Sequence, residues 1–185
     1  MTDHVAAGPA RAGLLNQLAE MPAFLERTLA LLPEALLQRQ PANDPNPLIE
    51  HVWHVRDCDP DLYALRIRQV LREDRPRLEP VDVGAWYGDR RYRQKPAARA
   101  IAEFAALRAG LVDELRMLDD RQLARAGLRA DGREIDVHGI LEQLLEHDRD
   151  HRWRIAAILA SFAADWAGPS RGCDKSRCRP AAVEG

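Results

Sequence analysis

The chain has 185 residues, which suits one domain with a substantial core and a short tail. Apolar residues make up 46% and charged residues 30% of the sequence, as in ordinary soluble globular proteins, and the net charge of −2 argues against nucleic-acid or membrane-surface binding. No apolar run reaches the roughly 18 to 20 residues that span a bilayer, and MTDHVAAGPARAG lacks the apolar segment of a signal peptide, so we expect a cytoplasmic protein.

A 3.6-residue periodicity of apolar side chains predicts a first helix over residues 11–32. Pro22 falls inside this pattern and should kink or restart the helix, because proline removes a backbone donor. Residues 33–47 then read as a connector. The predicted core-facing residues of the first helix are Leu14, Leu15, Leu18, Met21, Leu25, Leu29 and Leu32.

The second predicted helix begins at Asn46 and Pro47, since asparagine caps helices and proline fits their first turn. It should run to about Leu71, with a bend at Pro60. Its predicted core-facing residues are Leu48, Val52, Val55, Leu62 and Leu65.

A long loop over residues 73–95 should follow, and it contains Trp86, Tyr87 and Tyr92. Loops of this length commonly serve as functional elements or lids. A third helix is predicted after Pro96. Its predicted core-facing residues are Ile101, Phe104, Leu107, Leu111, Leu115 and Leu118.

The C-terminal part is predicted to contain a hairpin and the last long helix. The hairpin should lie within residues 125–136, with its turn at Asp131-Gly132, and the helix should run from Asp136 through Phe162. Four helices of this kind predict an all-α four-helix bundle domain over residues 1–168, followed by a flexible tail over residues 169–185.

The three cysteines give two separate expectations. Cys58 lies within a helical pattern and should be a small apolar filler, with catalytic nucleophile as the less favoured reading. Cys173 and Cys178 lie in the polar tail and are interpreted as free thiols, although their spacing also suits a disulfide or half of a metal site.

His147 and His151 lie on the core-facing stripe of the last helix. Residues four apart on a helix share a face, so both rings can point at one atom, as two nitrogen ligands of a divalent metal do. The alternative is a pair of core histidines that hydrogen-bond to carboxylates or water. The second helix offers His51 and His54 as a third ligand, and a helical wheel places His51 nearer the apolar centre without settling the choice.

The stretches NPLIEHVWHVRD and LLEHDRDHRWRI together resemble the DinB-like superfamily of four-helix bundles, over roughly residues 11–165. The resemblance implies a three-histidine metal site, and the Trp-His-aliphatic context of the family ligand assigns this role to His54, with His147 and His151 as the pair. His51 would then pack behind or support the site. The sequence RDCDPD departs from the family pattern, because relatives often continue this helix without a proline.

The resemblance implies a divalent transition metal, with nickel or zinc favoured and iron also suitable, because imidazole binds all three. Three histidines leave an open coordination position, as catalytic sites do. The implied function is a metal-dependent enzyme acting on a small molecule, a thiol-dependent transferase or a hydrolase, with a low-molecular-weight thiol as a candidate cofactor. The alternative is a non-catalytic metal-binding or stress-associated dimeric bundle.

These two functions differ in what they predict for the aromatic residues of the long loop. An enzyme should have a pocket open to solvent beside His54, His147 and His151, with the Trp86–Tyr92 loop closed over it, whereas the alternative has a shallow or closed site and packs those aromatic residues into a subunit contact. A homodimer is expected in either case. Carboxylates that could orient the ligand rings are Glu50, Asp57, Asp148 and Asp150, and arginines that could bind a cofactor carboxylate are Arg56, Arg152 and Arg154.

Overall fold

The computed structural model describes the backbone of residues 7–167 and the side chains of residues 11–163. The long helical elements are α1 (Ala7–Leu29), α3 (Leu48–Cys58), a π-helical segment (Asp59–Ala64), α4 (Leu65–Arg72), α6 (Ala97–Arg116) and α8 (Val137–Ala167). The short elements are α2 (Glu34–Leu37), α5 (Trp86–Asp89), a 3-10 turn (Tyr92–Gln94), α7 (Asp120–Leu123), β1 (Ala126–Leu128) and β2 (Glu134–Asp136).

The predicted four-helix bundle is confirmed, with α3, the π-helical segment and α4 together forming its second long member. The division at residue 168 stays a prediction, and the tail with Cys173 and Cys178 lies outside the described residues. Among the described residues, none of the helices combines the length and the apolar character that crossing a membrane requires.

The bundle helices do not pack in sequence order. Helix α1 packs against α6 and α8, and α3 packs against the same two helices, so α1 and α3 lie diagonally opposite each other. Helices α1 and α8 run in one direction, while α3–α4 and α6 run in the other. The connector over residues 30–47 therefore has to cross the end of the bundle, and the amide of Asn43 donates to the carbonyl of Ala157 on α8 over 3.0 Å.

The core consists of two apolar clusters. The hairpin-end cluster includes Leu18, Leu62, Leu111 and Leu144, and the connector-end cluster includes Met21, Val52, Phe104 and Ile155. Between them lies a polar layer of buried side chains, which we define as His51, His54, Asp59, Arg108, His147, Asp148 and His151. Burying this many polar groups is costly unless they pair with one another or with a ligand.

Pro22 does not restart the first helix, which is one of the two outcomes that the sequence predicts. Helix α1 continues through Pro22, although a proline removes the hydrogen bond to the carbonyl four residues earlier, here Leu18. The buried side chain of Arg108 on α6 donates to that carbonyl over 2.9 Å. A tertiary contact thus satisfies the backbone group that the proline leaves without a partner.

Pro60 lies in a π-helical segment, Asp59–Ala64, at the place where the sequence predicts a bend. A π-helix takes an extra residue per turn, so the residues after it are rotated relative to a continuous α-helical pattern. The prediction that Leu65 faces the core is consequently wrong, since 56% of its surface is exposed. Ile67 and Val70 take the core positions of α4.

The long loop is more structured than the sequence predicts. It contains α5 and the 3-10 turn, and Leu78 near its start donates its N–H to the carbonyl of Leu128 on β1 over 2.8 Å. The predicted hairpin is present as antiparallel β1 and β2, with Gly127 paired to Ile135. A Cβ at Gly127 would lie 3.0 Å from the carbonyl oxygen of Pro76, so glycine permits this close approach.

Candidate metal centre

Three histidines from two helices converge in the polar layer. His54 comes from α3, and His147 and His151 come from successive turns of α8. One potential ligand atom from each lies within 4.8 Å of the other two. The ring centroids are separated by 5.5 Å between His54 and His147, 5.1 Å between His54 and His151, and 4.5 Å between His147 and His151.

The ring nitrogens of this cluster are short of hydrogen-bond partners. Nδ1 of His54 and both ring nitrogens of His147 are buried without any partner among the described residues. Burial, followed by the neighbouring His147, lowers the pKa of His54 to about 3, and burial lowers the pKa of His151 well below its ordinary value. Buried ring nitrogens that lack hydrogen-bond partners fit a bound divalent metal, which imidazole nitrogens coordinate.

Aromatic rings cover the cluster. Tyr87 of α5 stacks on His54 with a centroid distance of 4.6 Å and an interplanar angle of 11°, and Trp86 lies 6.2 Å from the same ring. Tyr63 of the π-helical segment lies 5.6 Å from His147. His147 keeps 16% of its side chain exposed, whereas His54 is only 3% exposed.

Residues 84–94 form the covering segment, which ion pairs hold in place. Arg90 donates to Asp57 and to Asp61 over 2.6 Å each, and its guanidinium lies 3.7 Å from the centroid of the Trp86 ring. The Tyr92 side chain at the end of this segment is fully buried, and its hydroxyl donates to Asp57 over 3.1 Å. The segment therefore places Trp86 and Tyr87, and not Tyr92, against His54.

His51 lies beside the three-histidine cluster and not within it. Its Nδ1 is 3.0 Å from Nδ1 of His151, and its Nε2 is 3.2 Å from the carboxylate of Asp44. Burial lowers the pKa of His51 despite the nearby Asp44. The geometry thus groups His54 with the pair on α8, while His51 contacts Nδ1 of His151.

Asp44 is a site residue that the sequence reasoning missed. It lies in the connector, where its carboxylate accepts the backbone N–H of Asn46 over 2.9 Å and a hydrogen bond from Arg154 over 3.2 Å. The sequence Asp44-Pro45-Asn46-Pro47 is typical of such a turn, in which an Asp side chain accepts from the backbone two residues later. This sequence pattern predicts an ordered connector, but it does not indicate that Asp44 contacts His51.

The carboxylates that the sequence offered for orienting the rings are bound by arginines. Asp148 is 4.0 Å from Nδ1 of His147, which is too long for a hydrogen bond. These four candidates therefore pair with arginines, and none of them shows a hydrogen bond to a ring of the cluster in the described part of the chain. The pairs are Glu50 with Arg93, Asp57 with Arg56 and Arg90, Asp148 with Arg108, and Asp150 with Arg154.

The arginines proposed as cofactor contacts all have carboxylate partners. Arg56 pairs with Asp57 and Glu103, Arg152 lies 3.9 Å from Glu20, and Arg154 pairs with Asp150 and Asp44. A cofactor carboxylate would have to compete with these pairs.

Cys58 is fully buried, and its Sγ lies 3.4 Å from Nε2 of His54. Burial raises the pKa of its thiol, which keeps it protonated. This environment favours the small apolar filler over the nucleophile, because the thiolate is the reactive form.

The fold and the cluster define a class of protein: a four-helix bundle in which three histidines from two helices meet, two of them buried and one partly buried. The family model for the DinB superfamily matches residues 17–155, and the chain belongs to that superfamily. The resemblance inferred from the two histidine motifs is thereby confirmed.

One solved structure similar to this chain is YfiT from Bacillus subtilis. The sequences are 20% identical, the TM-score is 0.78, and the match covers 88% of this chain and 93% of YfiT. YfiT is described as a probable metal-dependent hydrolase with an unusual four-helix bundle topology. At this identity the likeness shows the fold. No curated protein matches the chain.

Proposed function

We propose that the chain is a metal-dependent enzyme that acts on a small molecule, with a divalent transition metal bound by His54, His147 and His151. Nickel and zinc are the favoured metals, and iron also suits three imidazoles. The observation that carries the proposal is the convergence of one ring nitrogen from each of the three histidines within 4.8 Å, combined with buried nitrogens that have no partner among the described residues.

A divalent ion in such a site supplies Lewis-acid chemistry, polarising a carbonyl or phosphoryl oxygen and activating water. The chain's own residues bind and shield it. The three imidazole rings would provide the ligands, and Tyr87, Trp86 and Tyr63 shield them from bulk water. The partly exposed side chain of His147 marks the side from which a small substrate reaches the centre.

Hydrolysis is the reaction class that we favour. YfiT, which shares the fold, is described as a probable metal-dependent hydrolase. A thiol-dependent transferase stays a prediction from the family resemblance. The three arginines that could bind the carboxylate of a thiol cofactor are already paired with carboxylates of the protein, which does not favour this reaction.

The alternative function is a non-catalytic dimeric metal-binding bundle. It requires the loop aromatics to pack into a subunit contact, whereas Trp86 and Tyr87 lie against His54 of the same chain. This intrachain packing supports the enzyme, whereas the near-complete burial of His54 and His151 is what the alternative predicts. The homodimer stays a prediction.

The first experiment is elemental analysis of the protein purified without a histidine tag, together with His54→Ala and the double variant His147→Ala, His151→Ala. We expect about one nickel or zinc per chain in the parent and none in either variant. His138→Ala is the matched control, because His138 is an exposed histidine on α8 that pairs with Glu142.

Three results would contradict the site as proposed. One is a parent without metal after incubation with zinc and with nickel. Another is full metal retention in His54→Ala, which would move the third ligand to another residue. The last is metal loss in His138→Ala, which would show that the assay does not report on the cluster.

A further inference from the structure

His51 and Asp44 form a buried chain of contacts that leads to one of the proposed ligands. The side chain of His51 is 0% exposed and that of Asp44 is 6% exposed. His51 lies between the carboxylate of Asp44, 3.2 Å from its Nε2, and the ring of His151, 3.0 Å from its Nδ1. Both distances are those of hydrogen bonds, so a proton must lie on a defined atom in each contact.

With Asp44 ionised and both histidines neutral, the three groups allow one arrangement of protons. An ionised carboxylate only accepts, so Nε2 of His51 carries the proton that Asp44 receives. A neutral His51 then has a lone pair on Nδ1, and the short contact requires Nδ1 of His151 to carry the second proton. Nε2 of His151 is thereby left without a proton.

We propose that Asp44 and His51 are positioning residues that fix the tautomer of His151, so that its Nε2 is the nitrogen presented to the metal. The inference rests on the proposed function for its metal, although the tautomer itself is a property of the protein alone. Metal-binding histidines are generally oriented through their other ring nitrogen by a carboxylate or carbonyl. Here a second histidine stands between the carboxylate and the ligand.

The position of Asp44 is itself fixed from several sides. The N–H of Asn46 and the guanidinium of Arg154 both donate to its carboxylate, and Arg154 is also tied to Asp150 over 2.7 Å. Gln40 donates to the carbonyls of Asp44 and Pro45 over 3.1 Å each. The connector is thus held in the shape that directs the Asp44 carboxylate toward His51.

The first test reads the tautomers directly in the metal-free protein. Long-range ¹H–¹⁵N spectra of the parent with ¹⁵N-labelled histidine should show His151 protonated on Nδ1 and His51 protonated on Nε2. A His151 proton on Nε2 would overturn the proposal. This measurement needs no substitution, so a variant that fails to fold does not affect it.

The second test uses substitutions that separate hydrogen bonding from packing. In His51→Phe the ring is kept and the acceptor is lost, so the His151 tautomer should no longer be fixed and Zn²⁺ affinity should fall by about 10- to 100-fold. In His51→Asn the amide oxygen takes the position of Nδ1, and it should restore both the tautomer and most of the affinity. Asp44→Ala should give a smaller loss of affinity, since His51 then exchanges between tautomers.

His138→Phe is the control, since it makes the same change at an exposed histidine of α8 and should bind Zn²⁺ like the parent. Equal affinity in His51→Phe and the parent, or equal losses in His51→Phe and His51→Asn, would overturn the positioning role. If the parent binds neither Zn²⁺ nor Ni²⁺, the proposed function fails, and the tautomer spectra still decide whether Asp44 and His51 act on His151.

Discussion

Arg108 is a fully buried arginine whose charge is balanced by two buried carboxylates. It forms a bidentate contact with Asp59, at 2.8 Å for each hydrogen bond, and it also donates to Asp148. In Arg108→Met both carboxylates lose their partner inside the core. We expect the free energy of unfolding to fall by about 3–5 kcal/mol, measured by urea denaturation.

Arg99→Met is the matched control on the same helix, because the Arg99 side chain is 69% exposed and pairs only with Glu103. Exposed pairs contribute about 0–1 kcal/mol, so this variant should unfold nearly as the parent does. Equal stability of the two variants would show that the buried charges are not balanced by Arg108.

The pairing of Asp57 should make the free energy of unfolding depend on pH in the acid range. Burial alone would raise its pKa, but hydrogen bonds from Arg90, Arg56 and Tyr92 outweigh burial and hold the pKa below its ordinary value of 3.8. The resulting stabilisation is present above that value and is lost as the pH falls through the lowered pKa.

In Asp57→Asn this contribution should be absent at every pH. The difference in urea midpoint between parent and variant should therefore be largest near about pH 6 and should shrink below about pH 3. A difference that stays constant across this range would contradict the assignment.

The residues of the candidate site could be predicted only in part. The four-residue spacing of His147 and His151 indicates a shared face from local geometry alone, and the family resemblance selected His54. Asp44 and Arg108 could not be found in this way, since Asp44 is connected to residue 151 only through His51, and Arg108 contacts residue 148 across the fold. Such contacts depend on how the helices are arranged, which local periodicity does not encode.

The conformation of the covering segment depends on Arg90 more than on the short helices within the segment. Besides its contacts with Asp57 and Asp61, Arg90 packs on Trp86, and α5 has only four residues. We expect Arg90→Ala to speed amide hydrogen exchange over residues 84–94 by about tenfold or more, with the long bundle helices unchanged.

Arg91→Ala is the control for this experiment, because Arg91 is exposed and its backbone conformation, with φ of 50°, is equally strained with alanine. Its exchange rates should match those of the parent. Faster exchange throughout α6 and α8 in Arg90→Ala would show general destabilisation and contradict a local role.

The helices themselves follow from apolar periodicity, but their local deviations do not. The stripe on the second helix is correct as far as Leu62 and fails at Leu65, because the π-helical segment changes the register between them. A proline in the sequence indicates that a helix is disturbed, but it does not indicate whether the helix bends, ends or forms a wider π-helical turn. At Pro22 the outcome depends on Arg108, which lies on another helix.

For the molecule as a whole, metal binding should appear as added stability. A ligand that binds only the folded state stabilises it by about 2.7 kcal/mol at a hundredfold excess over its Kd. We therefore expect the thermal unfolding midpoint of the metal-free parent to rise with Zn²⁺ concentration. His54→Ala should show no such rise, while His138→Ala should behave like the parent, and an equal response in both variants would contradict the site.

Arg108 also bears on how the chain assembles. Its guanidinium, carried by α6, contacts Leu18 of α1, Asp59 of the π-helical segment and Asp148 of α8, so one side chain joins all four long members of the bundle. A partly folded species with any one member missing would bury this cation without its full set of acceptors. Such species should be sparsely populated, so the bundle should fold and unfold as one cooperative unit, with the same urea transition by circular dichroism and by tryptophan fluorescence.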